Sequence, residues 1–203
     1  MRARPARVLQ LVVSCAVLGV GVALLLDARL GSDGYSMFIH GLVLTTGVGF
    51  WLVNTVVAVV LIAMGWLRSR RPGLGTVTQP VVVGVVVSLT LLWMPTPASL
   101  PLRWLELVTG FVVRCVGVAG YLAVDLGAGP TEVAALAWDP PVPFRWSYSA
   151  VQVLGAASGW LMGASLGLGT VLVVLLIGPV VDRLMPVLGK PSDPAEIRPP
   201  ADC

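Results

Sequence analysis

The chain has 203 residues, of which 57% are hydrophobic and 11% are charged, and its formal net charge at pH 7 is +3. Soluble domains carry about 25% charged residues, so this sequence has too few to cover a surface in water, and its expected solvent is lipid. The small net charge gives no reason to expect nucleic acid as a partner. Its three cysteines do not make a disulfide framework or a zinc site.

Six apolar segments are long enough to cross a bilayer, which takes about 20 residues. In chain order they are predicted at residues 8–26, 50–67, 76–94, 104–124, 146–165 and 169–185. The first segment is longer than the apolar region of a signal peptide, about 7–15 residues, so we expect it to remain as a span. The sequence therefore predicts an all-α polytopic membrane protein with six transmembrane helices.

Two shorter apolar stretches, at residues 35–47 and 131–138, cannot span the membrane alone, and each follows a glycine-rich turn. Irregular backbone at membrane depth is tolerated only where protein or a watery cavity covers it. We therefore expect each stretch to form a short re-entrant or interfacial helix. The residues that define the two turns are Gly31, Gly34, Gly127, Gly129 and Pro130.

The pentapeptide GLGTV occurs at residues 73–77 and again at residues 167–171. At the same spacing along the chain, Phe50 falls on Phe144 and Gly84 on Gly178. This recurrence predicts a duplication, with a first three-helix unit at residues 1–95 and a second at 96–186, followed by a polar cytoplasmic tail, residues 187–203, that we expect to be disordered. Each GLGTV segment is interpreted as a tight turn whose threonine is a helix N-cap.

The basic residues predict the orientation, because short cytoplasmic loops of membrane proteins are enriched in arginine and lysine. With six spans and a cytoplasmic N-terminus, ten of the 13 basic residues lie on the cytoplasmic side and two lie outside. Both termini are therefore expected in the cytoplasm of a bacterial inner-membrane protein. Three spans per unit place the second unit upside down relative to the first, an inverted repeat of the kind common in secondary transporters.

Two motifs carry a resemblance to a known family. The segment LGAGP at residues 126–130, followed by Glu132, and the segment LGLGTVLVVLLIGPVVD at residues 166–182 resemble the YczE/YyaS/YitT-like family of bacterial integral membrane proteins. The resemblance covers residues 8–186 and implies a membrane fold without implying an activity. The first unit departs from it, with Gly34 where the family usually has proline and Ser36 where it usually has an acid.

Arg114 lies near the middle of the fourth predicted span, where a charge costs at least about 2.5–3.5 kcal/mol on insertion scales. We expect it to face the bundle interior with Glu132 as the preferred partner and with Asp33 and Asp27 as second choices. It is either an anion-binding or gating charge in a central path, or part of an ion pair that holds a re-entrant helix in place. Asn54 and Gln152 are candidates for the same path or for hydrogen bonds between helices.

Four glycines recur at every fourth position along the fifth predicted span, and this spacing predicts a face through which helices pack closely. They are Gly155, Gly159, Gly163 and Gly167. The sequence shows no catalytic constellation, metal-ligand cluster or phosphate-binding loop, so we expect neither an enzyme nor a bound metal or cofactor.

These features predict a small-solute transporter whose path lies at the interface of two inverted units. Two half-helix N-termini aimed at the middle of the membrane suit a small anionic solute. The alternative is a non-transporting membrane scaffold or accessory protein that anchors or assists a partner. The lipid bilayer is an expected partner in both cases, and the small number of spans is compatible with a homodimer.

Overall fold

A computed structural model describes residues 5–68, 72–138 and 141–188, and every regular element within these ranges is an α-helix. This confirms the all-helical class for the part of the chain described. The eight helices are α1 (Pro5–Asp27), α2 (Gly34–Thr46), α3 (Phe50–Leu67), α4 (Leu74–Trp93), α5 (Leu100–Leu122), α6 (Pro130–Leu136), α7 (Phe144–Leu161) and α8 (Leu168–Leu188).

Four helices, α1, α3, α4 and α5, are long and apolar enough to cross a membrane. The apolar stretch described in α8, Leu168–Val181, is shorter, and α7 carries the polar residues Tyr148 and Gln152. Large apolar side chains are exposed on the outer faces, among them Leu67 and Leu175. The protein is therefore a multi-pass membrane protein in contact with lipid.

Two predicted boundaries are wrong. The fifth span was predicted to reach residue 165, but α7 ends at Leu161, because Gly163 adopts a left-handed φ of 95°. The amide of Ala164 then donates to the Gly159 carbonyl and that of Gly163 to the Trp160 carbonyl, which terminates the helix. Residues 187 and 188 belong to α8, not to the predicted tail, and the rest of that tail, 189–203, lies outside the described residues.

Helices α1 and α5 pack against each other along their lengths and run antiparallel. Going along α5, Gly110 lies beside Leu25, Arg114 beside Gly21, and Gly117 beside Leu18. A Cβ atom at Gly21 would lie 2.7 Å from the Arg114 Cα, and one at Gly117 would lie 2.6 Å from the Leu18 Cα. The missing side chains therefore let the two backbones meet, as small residues do at helix interfaces in membranes.

The other helices pack around this central pair in a reciprocal way. Helix α4 packs against α1, and α8 packs against α5. The short helix α2 packs mainly against α7 from the other half of the chain, and the short helix α6 packs against α3 from the other half as well as against α7 of its own half. Each half thus contributes its short helix to the other half.

Each GLGTV segment packs against the glycine turn of the opposite half. Residues 167–170 lie against the first turn, where the Gly169 amide donates to the Leu30 carbonyl at 2.9 Å. Residues 73–76 lie against the second turn, where the Gly75 amide donates to the Leu126 carbonyl at 2.8 Å. The recurring pentapeptide is therefore the contact surface for the turn of the opposite half.

The predicted role of the GLGTV threonine as an N-cap is wrong. The N-cap of α4 is Gly73, and its amide donates to the Thr76 hydroxyl at 3.1 Å from within the first helical turn. A threonine at the cap position would place a Cβ where Gly73 meets the Leu126 carbonyl of the second turn. Only glycine leaves room for that contact, so the hydroxyl acts from three residues further along.

Candidate functional site

The first glycine turn ends at Asp33, which is the N-cap of α2. Its backbone is extended, with a φ of −69° and a ψ of 157°, and one carboxylate oxygen accepts a hydrogen bond from the Ser36 amide at 3.2 Å. Aspartate is among the preferred N-caps because it satisfies an amide that the helix leaves unpaired. The Ser32 hydroxyl donates to the other carboxylate oxygen at 3.3 Å.

That second oxygen of Asp33 also forms a salt bridge with the Arg114 guanidinium. Both residues are buried, with exposed fractions of 3% for Asp33 and 8% for Arg114. Arg114 comes from the middle of α5, so the pair joins the first half of the chain to the second. One carboxylate thereby both caps α2 and neutralises an arginine in the bundle interior.

The preferred partner of Arg114, Glu132, was the wrong choice, and so was Asp27; the second-choice residue Asp33 is the partner. The reason lies in the exchange of turns between the halves. The turn that carries Asp33 is seated on the second half, where Arg114 lies, whereas the turn that precedes Glu132 is seated on residues 73–76 of the first half. The preference for Glu132, an acid on the short helix of the same half as Arg114, therefore gave the wrong pairing.

Gln152 and Tyr148 approach the same helix start from α7. The Tyr35 amide of α2 donates to the Gln152 side-chain oxygen at 3.2 Å, and the Gln152 side-chain nitrogen donates to the Tyr148 hydroxyl at 3.0 Å. Two amides in the first turn of α2 are thus satisfied by Gln152 and Asp33. The predicted anion site at this N-terminus is occupied by the protein's own carboxylate.

Asn54 lies on the other side of Tyr35. The Tyr35 hydroxyl donates to the Asn54 side-chain oxygen at 2.9 Å, and the Asn54 side-chain nitrogen donates to the Pro80 carbonyl at 2.6 Å. Asn54 is buried, with an exposed fraction of 2%. These bonds connect α2 to α3 and α3 to α4, so the polar network extends away from the ion pair.

Glu132 lies at the start of α6 and is partly buried. Its carboxylate accepts from the Thr131 hydroxyl at 3.0 Å and bends back over Gly129, close to the Tyr121 hydroxyl. It is near enough to Arg114 and Asp33 to interact with them electrostatically without forming a salt bridge. Glu132 therefore belongs to the edge of the cluster.

The remaining predicted residues fall elsewhere. Asp27 ends α1, where it accepts from the Thr96 hydroxyl at 2.9 Å. Gly155 and Gly159 pack against the backbone of α2, at Gly34 and Met37. Gly163 and Gly167 do not share that helix face, because α7 ends before them.

The five turn residues take part in the exchange between the halves or in the helix starts. Gly31 and Gly127 have left-handed φ values of 105° and 126°, and a side chain on either would collide with the opposite GLGTV segment. Gly34 packs against the backbone at Gln152. Gly129 is the N-cap of α6, and Pro130 is its first residue, where proline suits a helix start.

A small cavity of about 10 Å³ lies beside the cluster, with room for a single water molecule. Its wall includes Ser32, Met37 and His40, but neither Arg114 nor Asp33. Within the described ranges, the structure brings together no group of three or more histidine, cysteine, aspartate or glutamate side chains that could hold a metal.

Two tyrosines of the cluster, Tyr35 and Tyr148, were missed by sequence reasoning. At the spacing of the GLGTV repeat, Tyr148 falls on Asn54, which was selected as a candidate. A polar residue at matching positions in both halves was therefore a usable signal. Tyr35 had no such signal. The two glycine turns match at a spacing of 96 residues, which places Thr131 at its position in the second half, and the Thr131 side chain contacts Glu132 instead.

The fold and the site define a multi-pass α-helical membrane protein with a buried ion pair between its halves. Residues 5–186 match the profile of a family described as "Family of unknown function (DUF6198)". The chain belongs to this family.

Two relatives extend the match. The chain is 25% identical over 182 residues to an uncharacterized protein of Haemophilus influenzae, covering 89% of this chain and 84% of the relative. It is 23% identical over 176 residues to the uncharacterized membrane protein YczE of Bacillus subtilis, covering 84% of this chain and 81% of the relative. No solved structure matches the chain significantly. The resemblance to YczE-like membrane proteins is confirmed.

Proposed function

We propose that this chain is a small-solute transporter of the bacterial inner membrane, with its path between two inverted three-helix units. The observation that carries the proposal is the buried salt bridge between Arg114 and Asp33, which come from different halves of the chain. Ionisable residues inside a membrane protein are costly, face the bundle interior and mark substrate or ion pathways. We assign the protein no catalytic role.

The antiparallel packing of α1 and α5 supports the inverted repeat. These helices occupy matching positions in the two halves, so their antiparallel contact fits a pseudo-two-fold axis in the membrane plane. The two turns also share their backbone geometry, with left-handed φ values of 53° at Arg29 and 52° at Asp125. The exchange of short helices between the halves follows the same symmetry.

The site suits an anionic solute that competes with Asp33 for Arg114. A guanidinium offers several hydrogen-bond donors in a planar fork that matches carboxylate and phosphate groups. An incoming anion takes over the guanidinium, and Asp33 is then held by its cap on α2 and by the Ser32 hydroxyl. Solute binding and the position of α2 against α7 would in this way be coupled through one carboxylate.

The cytoplasmic position of both termini belongs to the same proposal. Arg7 precedes most of α1, and Arg68 follows α3, where its guanidinium lies 4.5 Å from the centre of the Trp138 ring. Arg183 is close to the end of α8. With six crossings these three residues fall on one side of the membrane, as the preference of arginine for cytoplasmic loops requires.

A second candidate is a non-transporting membrane scaffold, alone or as a homodimer. The observation that favours it is that Arg114 and Asp33 pair with each other while almost fully buried, and that Asp33 also caps α2. Such a pair also serves to hold two halves in register. The two candidates differ in whether the cluster is ever reached by water.

Thiol accessibility distinguishes the two candidates without a known solute. In a variant with Cys15, Cys115 and Cys203 replaced by serine or alanine, a single cysteine is placed at Ser36, which is buried beside Asp33. The protein in membrane vesicles is then treated with a membrane-impermeant thiol reagent. A transporter opens the cluster to one side of the membrane, so Ser36→Cys should react.

The control is Val87→Cys in the same background, because Val87 is fully buried in the apolar core on α4 and does not line the cavity beside the cluster. It should stay unreactive in either case. If Ser36→Cys is as unreactive as Val87→Cys from both sides of the membrane, the transporter proposal fails and the scaffold is preferred.

A further inference from the structure

A second group of acidic oxygens lies away from the ion pair, where α1 ends beside α5 and the loop between α4 and α5. Asp27, the last residue of α1, has an exposed fraction of 8%. One of its carboxylate oxygens accepts from the Thr96 hydroxyl at 2.9 Å. The other is buried and has no hydrogen-bond partner among the residues that the structure describes.

Glu106 of α5 faces the same place. In the antiparallel pair, Leu25 lies beside Gly110, so the next helical turn brings the end of α1 level with Glu106. Asp27 and Glu106 are close enough to interact electrostatically. One carboxylate oxygen of Glu106 is also buried and, within the described ranges, without a hydrogen-bond partner.

This arrangement places two carboxylates together where negative charge is already unfavourable. The C-terminal end of a helix carries a partial negative charge, and Asp27 ends α1. No arginine or lysine in the described residues lies within salt-bridge distance of either carboxylate. The nearby Arg103 donates instead to the Pro97 carbonyl at 3.2 Å. Within the described residues no salt bridge balances the negative charge of this pair, and a cation bound from solution can do so.

We propose that Asp27, Glu106 and the Thr96 hydroxyl form a binding site for an alkaline-earth cation, Ca²⁺ or Mg²⁺. Carboxylate and hydroxyl oxygens are the donors that these hard cations prefer. A doubly charged ion neutralises both carboxylates and satisfies both unpartnered oxygens. The ion ties the end of α1 to α5 and to the loop that carries Thr96, whether or not the protein transports a solute.

Thermal unfolding in an uncharged detergent tests the site. The purified full chain is stripped with EDTA, and CaCl₂ or MgCl₂ is then added at constant ionic strength while tryptophan fluorescence reports the unfolding midpoint. Ligand that binds only the folded state raises this midpoint. We expect the rise to begin at about 0.1–1 mM cation, the range of dissociation constants of extracellular calcium modules, and then to grow with the logarithm of the cation concentration.

Glu106→Gln should abolish the rise while keeping the shape of the side chain. Asp125→Asn is the matched control, because Asp125 is an exposed acid near the other end of α5, and this variant should respond like the unchanged chain. The proposal is overturned if the unchanged chain shows no rise, or if Glu106→Gln shows the same rise. Stabilisation by acid alone, without any response to cation, would mean that the carboxylates share a proton and would also overturn it.

Discussion

At the scale of single residues, Asp33 has two tasks that depend on separate oxygens. One oxygen caps α2 through the Ser36 amide, and the other pairs with Arg114. Arginine stays protonated in proteins, so the positive charge of Arg114 stabilises the carboxylate form of Asp33. If Arg114 is removed, the Asp33 carboxylate remains buried without its salt-bridge partner, because its hydrogen bond to the Ser36 amide still holds it at the start of α2.

Arg114→Ala should therefore destabilise the protein by about 3–5 kcal/mol, the cost of leaving one member of a buried pair alone. Adding Asp33→Asn should restore much of this loss, because asparagine keeps the cap on Ser36 and removes the charge. The free energy of unfolding in detergent, measured for the two single variants and the double variant, gives the coupling energy.

The control for that cycle replaces Asp33→Asn by Glu132→Gln. Glu132 interacts with Arg114 only at a distance, so Glu132→Gln should not rescue Arg114→Ala. Rescue by Glu132→Gln equal to that by Asp33→Asn would contradict the pairing seen in the structure.

At the scale of helices, the closest contacts between α2 and α7 are made by backbone at glycines. Gly159 lies so close to Met37 that a Cβ atom would overlap the Met37 carbonyl. Gly34 and Gly155 meet in the same way one turn earlier. Backbones that approach this closely leave no space for a larger residue on either side.

Gly159→Leu should destabilise the protein by about 1–3 kcal/mol or more, because overpacking forces the backbones apart. Val153→Leu on the same helix is the control, since Val153 is 63% exposed on the lipid-facing side. The midpoints of thermal unfolding in detergent should fall for Gly159→Leu and stay unchanged for Val153→Leu. Equal effects would show that the glycine face is not an interface.

The contacts between the GLGTV segments and the two glycine turns give a second prediction for helices. A Cβ atom at Gly75 would lie 2.9 Å from the Gly127 carbonyl oxygen, and one at Gly169 would lie 2.7 Å from the Leu30 carbonyl oxygen. Gly75→Ala and Gly169→Ala should therefore each lower the free energy of unfolding, by about 1–3 kcal/mol.

Gly178→Ala in α8 is the matched change, because nothing lies within 4 Å of a Cβ atom there. Alanine is the better helix former, so this variant should gain about 0.5–1 kcal/mol. If chemical denaturation gives the same free energy of unfolding for the three alanine variants, the contacts between the GLGTV segments and the turns do not contribute to stability.

The sequence predicts helices better than it predicts their partners. Long apolar runs fix the helices to within a few residues, because lipid imposes a minimum length. The end of α7 was missed because Gly163, inside an apolar run, adopts a left-handed conformation. The pairing of Arg114 was missed because it depends on which half receives which turn, and hydropathy carries no information about that exchange.

At the scale of the whole molecule, the charge bias predicts where the chain ends. A fluorescent reporter fused after Cys203 should fold in the cytoplasm, because the proposed six crossings return the chain to the side on which it starts. A reporter inserted between α4 and α5, at residues 94–99, should be on the external side. An external reading for the C-terminal fusion would exclude both the six crossings and the inverted repeat.

The exchange of turns also constrains how the protein can be made. The first turn needs Gly167 and Gly169 to cover the Leu30 carbonyl, and these residues leave the ribosome only after most of the chain. A nascent chain that has been synthesised only as far as α7 therefore still has an uncovered Leu30 carbonyl in its first turn. The two halves therefore cannot complete their folding one after the other, because the first turn is completed only when α8 has been synthesised.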